Sequence, residues 1–163
     1  MNRFLVGITL VFALACGDDD GTSTPDGMGG DAGPAACGEG QVCATLTVPE
    51  SFDGTPREVF VGLYSSLPPA GPPEVFVGNV ASPAIAAGMP MTMALDDGGA
   101  SGDYHVFIAL YVEGGGMFNP EPGIDYMATT APVTFGAGPV ELGEVALELA
   151  DVGGPDPQER GGA

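Results

Sequence analysis

Positive charge is almost absent from this sequence. Lysine does not occur, and the arginines are Arg3, Arg57 and Arg160, against 22 Asp and Glu residues. The formal net charge is therefore −19 at pH 7. A surface this negative repels nucleic acid and anionic lipid headgroups, so the composition predicts no nucleic-acid partner and favours cationic groups in any partner.

Residues typical of catalytic and zinc sites are equally scarce. His105 is the only histidine, whereas a zinc site needs about four nitrogen or sulfur ligands. With no lysine and no Gly-x-Ser-x-Gly motif in the chain, His105 has no obvious catalytic partner in its apolar surroundings. These absences favour a non-enzymatic protein. A hydrolase that uses a pair of carboxylates is the alternative.

The N-terminal apolar run is short. It covers residues 4–14, whereas a bilayer-spanning helix takes about 20 apolar residues. Because Arg3 precedes the run and small residues follow it, residues 1–15 are typical of a signal peptide. An ordinary secretory signal that is cut near Ala15, with Cys16 as a spare thiol, is one interpretation.

The other interpretation comes from Ala13-Leu14-Ala15-Cys16, which resembles the lipobox of bacterial lipoproteins. The resemblance implies cleavage by signal peptidase II before Cys16 and acylation of that cysteine. The chain departs from the family in one respect, because Ala13 stands where leucine is usual. Two or more acyl chains would anchor the protein stably to a membrane.

The residues after the lipobox bear on the location in the cell envelope. Gly17 after the cysteine resembles lipoproteins sorted to the outer membrane. The acidic run Asp18-Asp19-Asp20 resembles surface-export signals of some bacterial lipoproteins, and a solvated spacer without a sorting role is the alternative. The expected location is therefore the bacterial cell envelope, with the N-terminal lipid in the membrane.

Three cysteines fit one lipidated residue and one pair in an exported protein. We expect Cys37 and Cys43 to form a disulfide. Their seven-residue loop would add about 2 kcal/mol of stability through loop-closure entropy.

Composition divides the remaining chain into three segments. Residues 16–36 begin with the cysteine for which the lipobox resemblance implies lipidation, and their composition, rich in Gly, Asp and Pro and without apolar periodicity, predicts a flexible tether. Residues 37–150 form the expected domain. Residues 151–163 form a frayed Gly/Pro-rich tail.

The domain is expected to be all-β. The 28 Gly and 16 Pro residues argue against long helices, and apolar alternation marks about seven short strands separated by turns. The pattern predicts an antiparallel β-sandwich, with only a weak resemblance to small immunoglobulin-like or transthyretin-like domains. The segments with strand character are residues 41–48, 57–64, 74–80, 88–95, 104–113, 124–130, 131–135 and 140–150.

Details of three segments matter for later comparison. Residues 104–113 are apolar on both faces, which predicts a central strand. In the last segment, Gly143 is expected at a bulge, with Leu147 and Leu149 facing inward. Met89, Met91, Met93 and Leu95 alternate, which favours core packing over a copper(I) site.

Carboxylates in the loops around residues 104–113 suggest calcium as a candidate cofactor. Asp96, Asp97 and Asp103 precede that strand, and a second acidic group that includes Asp125 follows it. Calcium takes six to eight oxygen ligands. The two groups would lie about 30 Å apart at opposite ends of the strand, so they cannot share a site. The alternative is that these acids form turns on a solvated surface.

An aromatic patch is the second candidate site. Phe60, Tyr64, Phe107 and Tyr111 would share one face if their strands pair. If that face is open it would bind protein or sugar, and the alternative is that loops cover it.

The expected function is therefore a non-enzymatic binding or structural module of a lipid-anchored envelope protein. Its partner would be an envelope protein or a glycan. A calcium-dependent adhesion or carbohydrate-binding domain is the alternative.

Overall fold

The computed structural model describes residues 36–113 and 118–151. The chain divides into two units, Met1–Ala32 and Gly33–Ala163, and the described residues all belong to the second. The predicted signal peptide, Cys16, residues 17–35 of the predicted tether and residues 152–163 of the predicted tail lie outside the described residues.

The described residues form nine strands and no helix. The strands are β1 (Gln41–Thr47), β2 (Glu58–Tyr64), β3 (Val75–Ala81), β4 (Met91–Asp96), β5 (Gly102–Tyr111), β6 (Tyr126–Thr129), β7 (Val133–Phe135), β8 (Val140–Ala146) and β9 (Glu148–Leu149). They form a small sheet in the order β4-β1-β8 and a large sheet in the order β3-β2-β5-β6-β9, with β7 also paired to β5.

The predicted all-β sandwich is confirmed. Neighbouring strands are antiparallel, except that β1 and β8 are parallel. The main core lies between the two sheets. On β1, Val42, Ala44 and Leu46 are buried in it while the residues between them are only half-buried, as the alternation predicts.

Strands β2 and β5 are apolar on both faces. On β2, the residues that face the main core are Val59, Val61 and Leu63. On β5, they are Val106, Ile108 and Leu110. The intervening residues face away from the small sheet and form a second apolar cluster. As predicted for residues 104–113, β5 is a central strand, with β2 on one side and β6 on the other.

The last predicted strand divides between the two sheets. Cys43 pairs with Glu141 and Thr45 with Glu144, so the predicted bulge is present, and Gly143 adopts the positive φ of 70° that it requires. Leu147 N still donates to Thr47 O at 2.9 Å, after which β9 joins the large sheet.

This crossing changes which side chains face inward. Leu147 is buried as predicted, whereas Leu149 is 49% exposed, so its predicted inward orientation is wrong. The prediction assumed one continuous strand with one inner face. Because the chain changes sheets after Ala146, the alternation restarts and Ala150 becomes the next buried residue.

The predicted methionine row is only partly formed. Met93 is buried, and Met91 and Leu95 pack against the main core. Met89 lies before β4 and is 63% exposed, because an isolated bridge to Ala86 holds it outside the strand.

Asp125 joins three parts of the large sheet. Its carboxylate is fully buried and accepts hydrogen bonds from Val112 N at 2.8 Å and Glu121 N at 2.7 Å. Its carbonyl accepts from Ala150 N at 2.8 Å. The end of β5, the start of β6 and the end of the domain are therefore held by one residue.

We predict that Asp125→Ala lowers the free energy of unfolding by about 2–5 kcal/mol, because two buried N–H donors lose their acceptor. Urea denaturation measures this change. The matched control is Asp53→Ala, which removes an exposed carboxylate and should change stability by less than about 0.5 kcal/mol. Equal effects of the two substitutions would contradict the assigned role of Asp125.

Candidate functional site: the aromatic face of the large sheet

The structure brings together the four aromatic residues that the sequence grouped. Phe60 and Tyr64 lie on β2, and Phe107 and Tyr111 lie on β5, all on the face opposite the main core. The register explains this, because Gly62 pairs with Phe107 and places Phe60 and Tyr64 on either side of that ring. We call these four residues, with Ala109, the aromatic cluster.

The rings pack edge to face. The centroids of Phe60 and Phe107 are 6.5 Å apart at an interplanar angle of 67°, and those of Tyr64 and Phe107 are 5.8 Å apart at 79°. These are favoured geometries for aromatic pairs, which add about 0.5–1.5 kcal/mol each beyond the area they bury.

The face is not open at these four residues. Phe60 is 5% exposed, Tyr64 3%, Phe107 2% and Tyr111 0%. The proline-rich loop after β2 covers one end, where Tyr64 Oη donates to Gly71 O at 3.2 Å. Of the two possibilities that the sequence left open, the structure shows the one in which loops cover this face.

A glycine allows that loop to approach the sheet closely. A Cβ atom on Gly62 would lie 2.8 Å from Pro73 Cβ, so a larger residue at this position would push the loop away. At other places on the cluster, Phe118 and Met127 pack against the rings. The cluster is therefore a second core beneath loops.

Phe76 is the accessible aromatic residue of this face, and the sequence grouping missed it. It lies on β3 opposite Gly62, stacks on Phe60 with centroids 5.4 Å apart, and is 55% exposed. The signal was present in Val75-Phe76-Val77, because alternation places Phe76 on the opposite face from the two valines. Phe76 extends the buried cluster to the surface.

Charges surround one end of the cluster. The pKa of Tyr111 is raised to about 12, chiefly by burial of its phenol. The negative charges of Asp125 and Glu58 raise it further, whereas the positive charge of Arg57 lowers it. The Arg57 guanidinium lies 5.8 Å from the Tyr111 ring centroid. Burial also raises the pKa of Tyr64.

His105 lies beside the cluster, paired with Tyr64 across β2 and β5. It is half-buried, and its Nδ1 lies 2.8 Å from Thr130 O. A carbonyl oxygen only accepts, so Nδ1 carries the proton and donates. This contact holds the imidazole against the chain that follows β6.

The three candidate calcium ligands serve separate structural roles. Asp96 Oδ1 accepts from Gly98 N at 2.9 Å, and Asp97 Oδ1 accepts from Gly99 N at 2.8 Å. Asp103 Oδ1 accepts from Thr134 Oγ1 at 2.6 Å across β5 and β7.

The predicted calcium site is therefore not assembled in the described part of the chain. Across residues 36–113 and 118–151, no three His, Cys, Asp or Glu side chains converge in a way that could hold a metal ion. The three carboxylates instead accept hydrogen bonds within a turn and across two strands.

The predicted disulfide is confirmed. Cys37 and Cys43 are bonded, with their Cα atoms 5.8 Å apart. The bond fastens the segment before β1 to the middle of that strand, which is the central strand of the small sheet.

Comparisons with protein-family models, curated proteins and solved structures find no match for this chain. Within residues 36–113 and 118–151, no helix is long and apolar enough to span a membrane. Function is therefore inferred from the residues and geometry of the chain itself.

We predict a graded response to truncation of the aromatic rings. Phe107→Ala removes a ring that is 2% exposed and should lower the free energy of unfolding by about 3–5 kcal/mol. Phe76→Ala removes an exposed ring and should cost about 1 kcal/mol, chiefly the stacking on Phe60. Urea denaturation measures both values, and equal losses would contradict the assigned difference in burial.

We predict that stability falls between pH 10 and pH 12. In that range the Tyr111 phenol ionises in the unfolded chain, at its ordinary pKa of 10.0, but is still protonated in the folded chain, where its pKa is about 12. Folded molecules then bind more protons than unfolded ones, so stability decreases as pH rises. Tyr111→Phe should make this decrease shallower in denaturation curves, and an unchanged slope would contradict the prediction.

Proposed function

We propose that this chain is an exported bacterial lipoprotein, anchored to the cell envelope by acyl chains on Cys16, and that its β-sandwich is a non-catalytic binding or structural module. The observation that carries the proposal is the Cys37–Cys43 disulfide. Disulfides persist in oxidising compartments and are rare in the cytosol, so this bond supports export.

The disulfide also supports the role of Cys16. The chain has three cysteines, and the bond uses two of them. The remaining one directly follows the apolar run and lies in the sequence that resembles a lipobox. In an exported protein, a third cysteine at this position is suited to be the site of lipid attachment.

The spacing between the anchor and the fold suits a domain that stands off a membrane. Strand β1 begins at Gln41. If the residues between Cys16 and Cys37 form the flexible tether that their composition predicts, the tether would reach about 25 Å on average. In such an arrangement, the Cys37–Cys43 disulfide would transmit a force on the tether directly to strand β1. Gly17 favours the outer membrane as the place of attachment.

The proposed partner is an envelope protein or a glycan. Phe76 supports this proposal, because its ring is 55% exposed and is fixed by stacking on Phe60. A rigid exposed aromatic ring binds with little loss of conformational entropy, and both proteins and sugars pack against such rings. The net charge of −19 disfavours nucleic acid.

We predict that Cys16→Ser releases the protein from the membrane fraction. Without the thiol no acyl chain can be attached, so the variant should appear in the soluble envelope or culture fraction or as an uncleaved precursor. Cell fractionation and intact mass spectrometry measure the location and the acylation.

The control is the double substitution Cys37→Ser and Cys43→Ser. It removes the disulfide but leaves the lipobox intact, so the protein should stay acylated and membrane-bound. If the parent protein lacks acyl mass, or if a Cys16→Ser form that has lost residues 1–15 stays anchored to the same extent, the lipoprotein proposal is wrong.

A further inference from the structure

Phe76 presents an aromatic ring to solvent from the edge strand β3. It is paired with Gly62, which has no side chain to displace the ring, and it stacks on Phe60 with centroids 5.4 Å apart at an interplanar angle of 28°. One face of the ring is therefore held against the buried aromatic cluster, while the residue as a whole is 55% exposed. A ring that is fixed in this way loses little conformational entropy when a ligand stacks on it.

Polar side chains lie on both sides of Phe76 on the outer face of β3. Glu74 precedes it by two residues, so alternation places both on the same face, about 7 Å apart along the strand. Asn79 follows by three residues, and the bulge at Val77 returns it to that face, where it is paired with Phe60. All three side chains are exposed. We call Glu74, Phe76 and Asn79 the β3 row.

Neighbouring groups orient both polar ends of the β3 row. The carboxylate of Glu74 accepts from Ser65 N at 2.9 Å and from Ser65 Oγ at 2.6 Å. At the other end, Asn79 Nδ2 donates to Glu58 Oε1. A carboxylate accepts about four hydrogen bonds, and an amide both donates and accepts. Each end of the row can therefore also bond to hydroxyl groups of a ligand.

The charges around Phe76 restrict the class of ligand. Glu58 and Glu74 border the ring on a chain whose net charge is −19, so acidic polysaccharides and anionic lipid headgroups are repelled. A neutral sugar is not repelled. Its C–H face packs on an aromatic ring, and its hydroxyls donate to carboxylates, as the uncharged donors of Ser65 and Asn79 already do. The surroundings of the ring therefore fit a neutral ligand that is rich in hydroxyl groups.

The size of the apolar surface favours a sugar over a protein. A stable protein interface buries about 800 Å² on each partner, with an apolar core. Among the described residues, the other exposed large apolar side chains are Leu67, Met89 and Leu149. Met89 precedes a strand of the small sheet, and Leu149 lies on β9, at the opposite edge of the large sheet from β3. At most Leu67 adds to Phe76, which is enough for a sugar ring but not for the core of a protein interface.

We propose that the β3 row binds a neutral glycan, with a sugar ring stacked on Phe76 and sugar hydroxyls bonded to Glu74 and Asn79. This inference rests on the proposed role of the domain as a binding module, and it does not depend on the lipid anchor. One aromatic contact and a few hydrogen bonds make each site weak, and a repeating glycan that binds several copies of the chain gains from multivalency.

Isothermal titration calorimetry of the full chain in detergent tests the proposal. The probes are neutral cello-, malto- and N-acetylchito-oligosaccharides, with oligogalacturonate as an acidic counterpart. At least one neutral set should bind, and oligogalacturonate should not. Because a neutral sugar forms no ion pair, the dissociation constant should be nearly independent of salt, whereas a basic ligand would be released as salt is added.

Substitutions at the two edges of the large sheet locate the site. Phe76→Ala should raise the dissociation constant at least about fivefold, because the stacking contact is lost. Phe76→Trp keeps an aromatic ring and should retain binding. The matched control is Leu149→Ala, which removes a side chain that is 49% exposed at the other edge and should leave the dissociation constant unchanged. Urea denaturation confirms that each variant is folded.

Three results would overturn the proposal. They are no binding of any of the three neutral sets, equal weakening by Phe76→Ala and Leu149→Ala, and binding of oligogalacturonate as tight as that of a neutral set. A complex with an envelope protein that depends on Phe76, without glycan binding, would also overturn it but would leave the binding-module proposal standing. Acylation of Cys16 is measured separately by intact mass, so failure of glycan binding and failure of the lipoprotein proposal are distinguishable.

Discussion

The burial of both faces of β5 is the constraint on which the rest of the structure depends. Val106, Ile108 and Leu110 are fully buried on one face, and Phe107 and Tyr111 are almost fully buried on the other. Burial of each such side chain stabilises the fold by about 1.5–3 kcal/mol. The sheet therefore needs two covers, and the chain supplies the small sheet on one side and loops on the other.

Sequence periodicity separated the two faces of the strands that lie wholly in one sheet. The division of β2 and β5 into two faces was predicted correctly, because side chains alternate with a period of two. The inward orientation of Leu149 was wrong because periodicity does not reveal that a chain crosses between sheets. The same limitation hides the parallel pairing of β1 with β8, since alternation defines the face of a strand but not its neighbour.

The sequence predicted which aromatic residues lie together in the candidate site, but not whether solvent reaches them. Strand pairing was enough to group Phe60 with Phe107, whereas the cover depends on a tertiary contact of Pro73 with Gly62 that no local pattern encodes. The acids show the same division. Asp97 and Asp125 are both buried, yet Asp97 accepts from Gly99 within its own turn. Asp125 accepts instead from the N–H groups of Val112 and Glu121, which belong to other segments.

The hydrogen bonds of the acids also show what individual carboxylates do in the described part of so negative a chain. The carboxylates of Asp96 and Asp97 accept from backbone N–H groups of one turn, and that of Asp103 accepts from a hydroxyl across β5 and β7. The excess of acids also produces a long-range negative field, which affects the rate of encounter and the choice of partner more than the final affinity. Specific contact then depends on apolar groups at the surface, and the exposed ring of Phe76 is one of them.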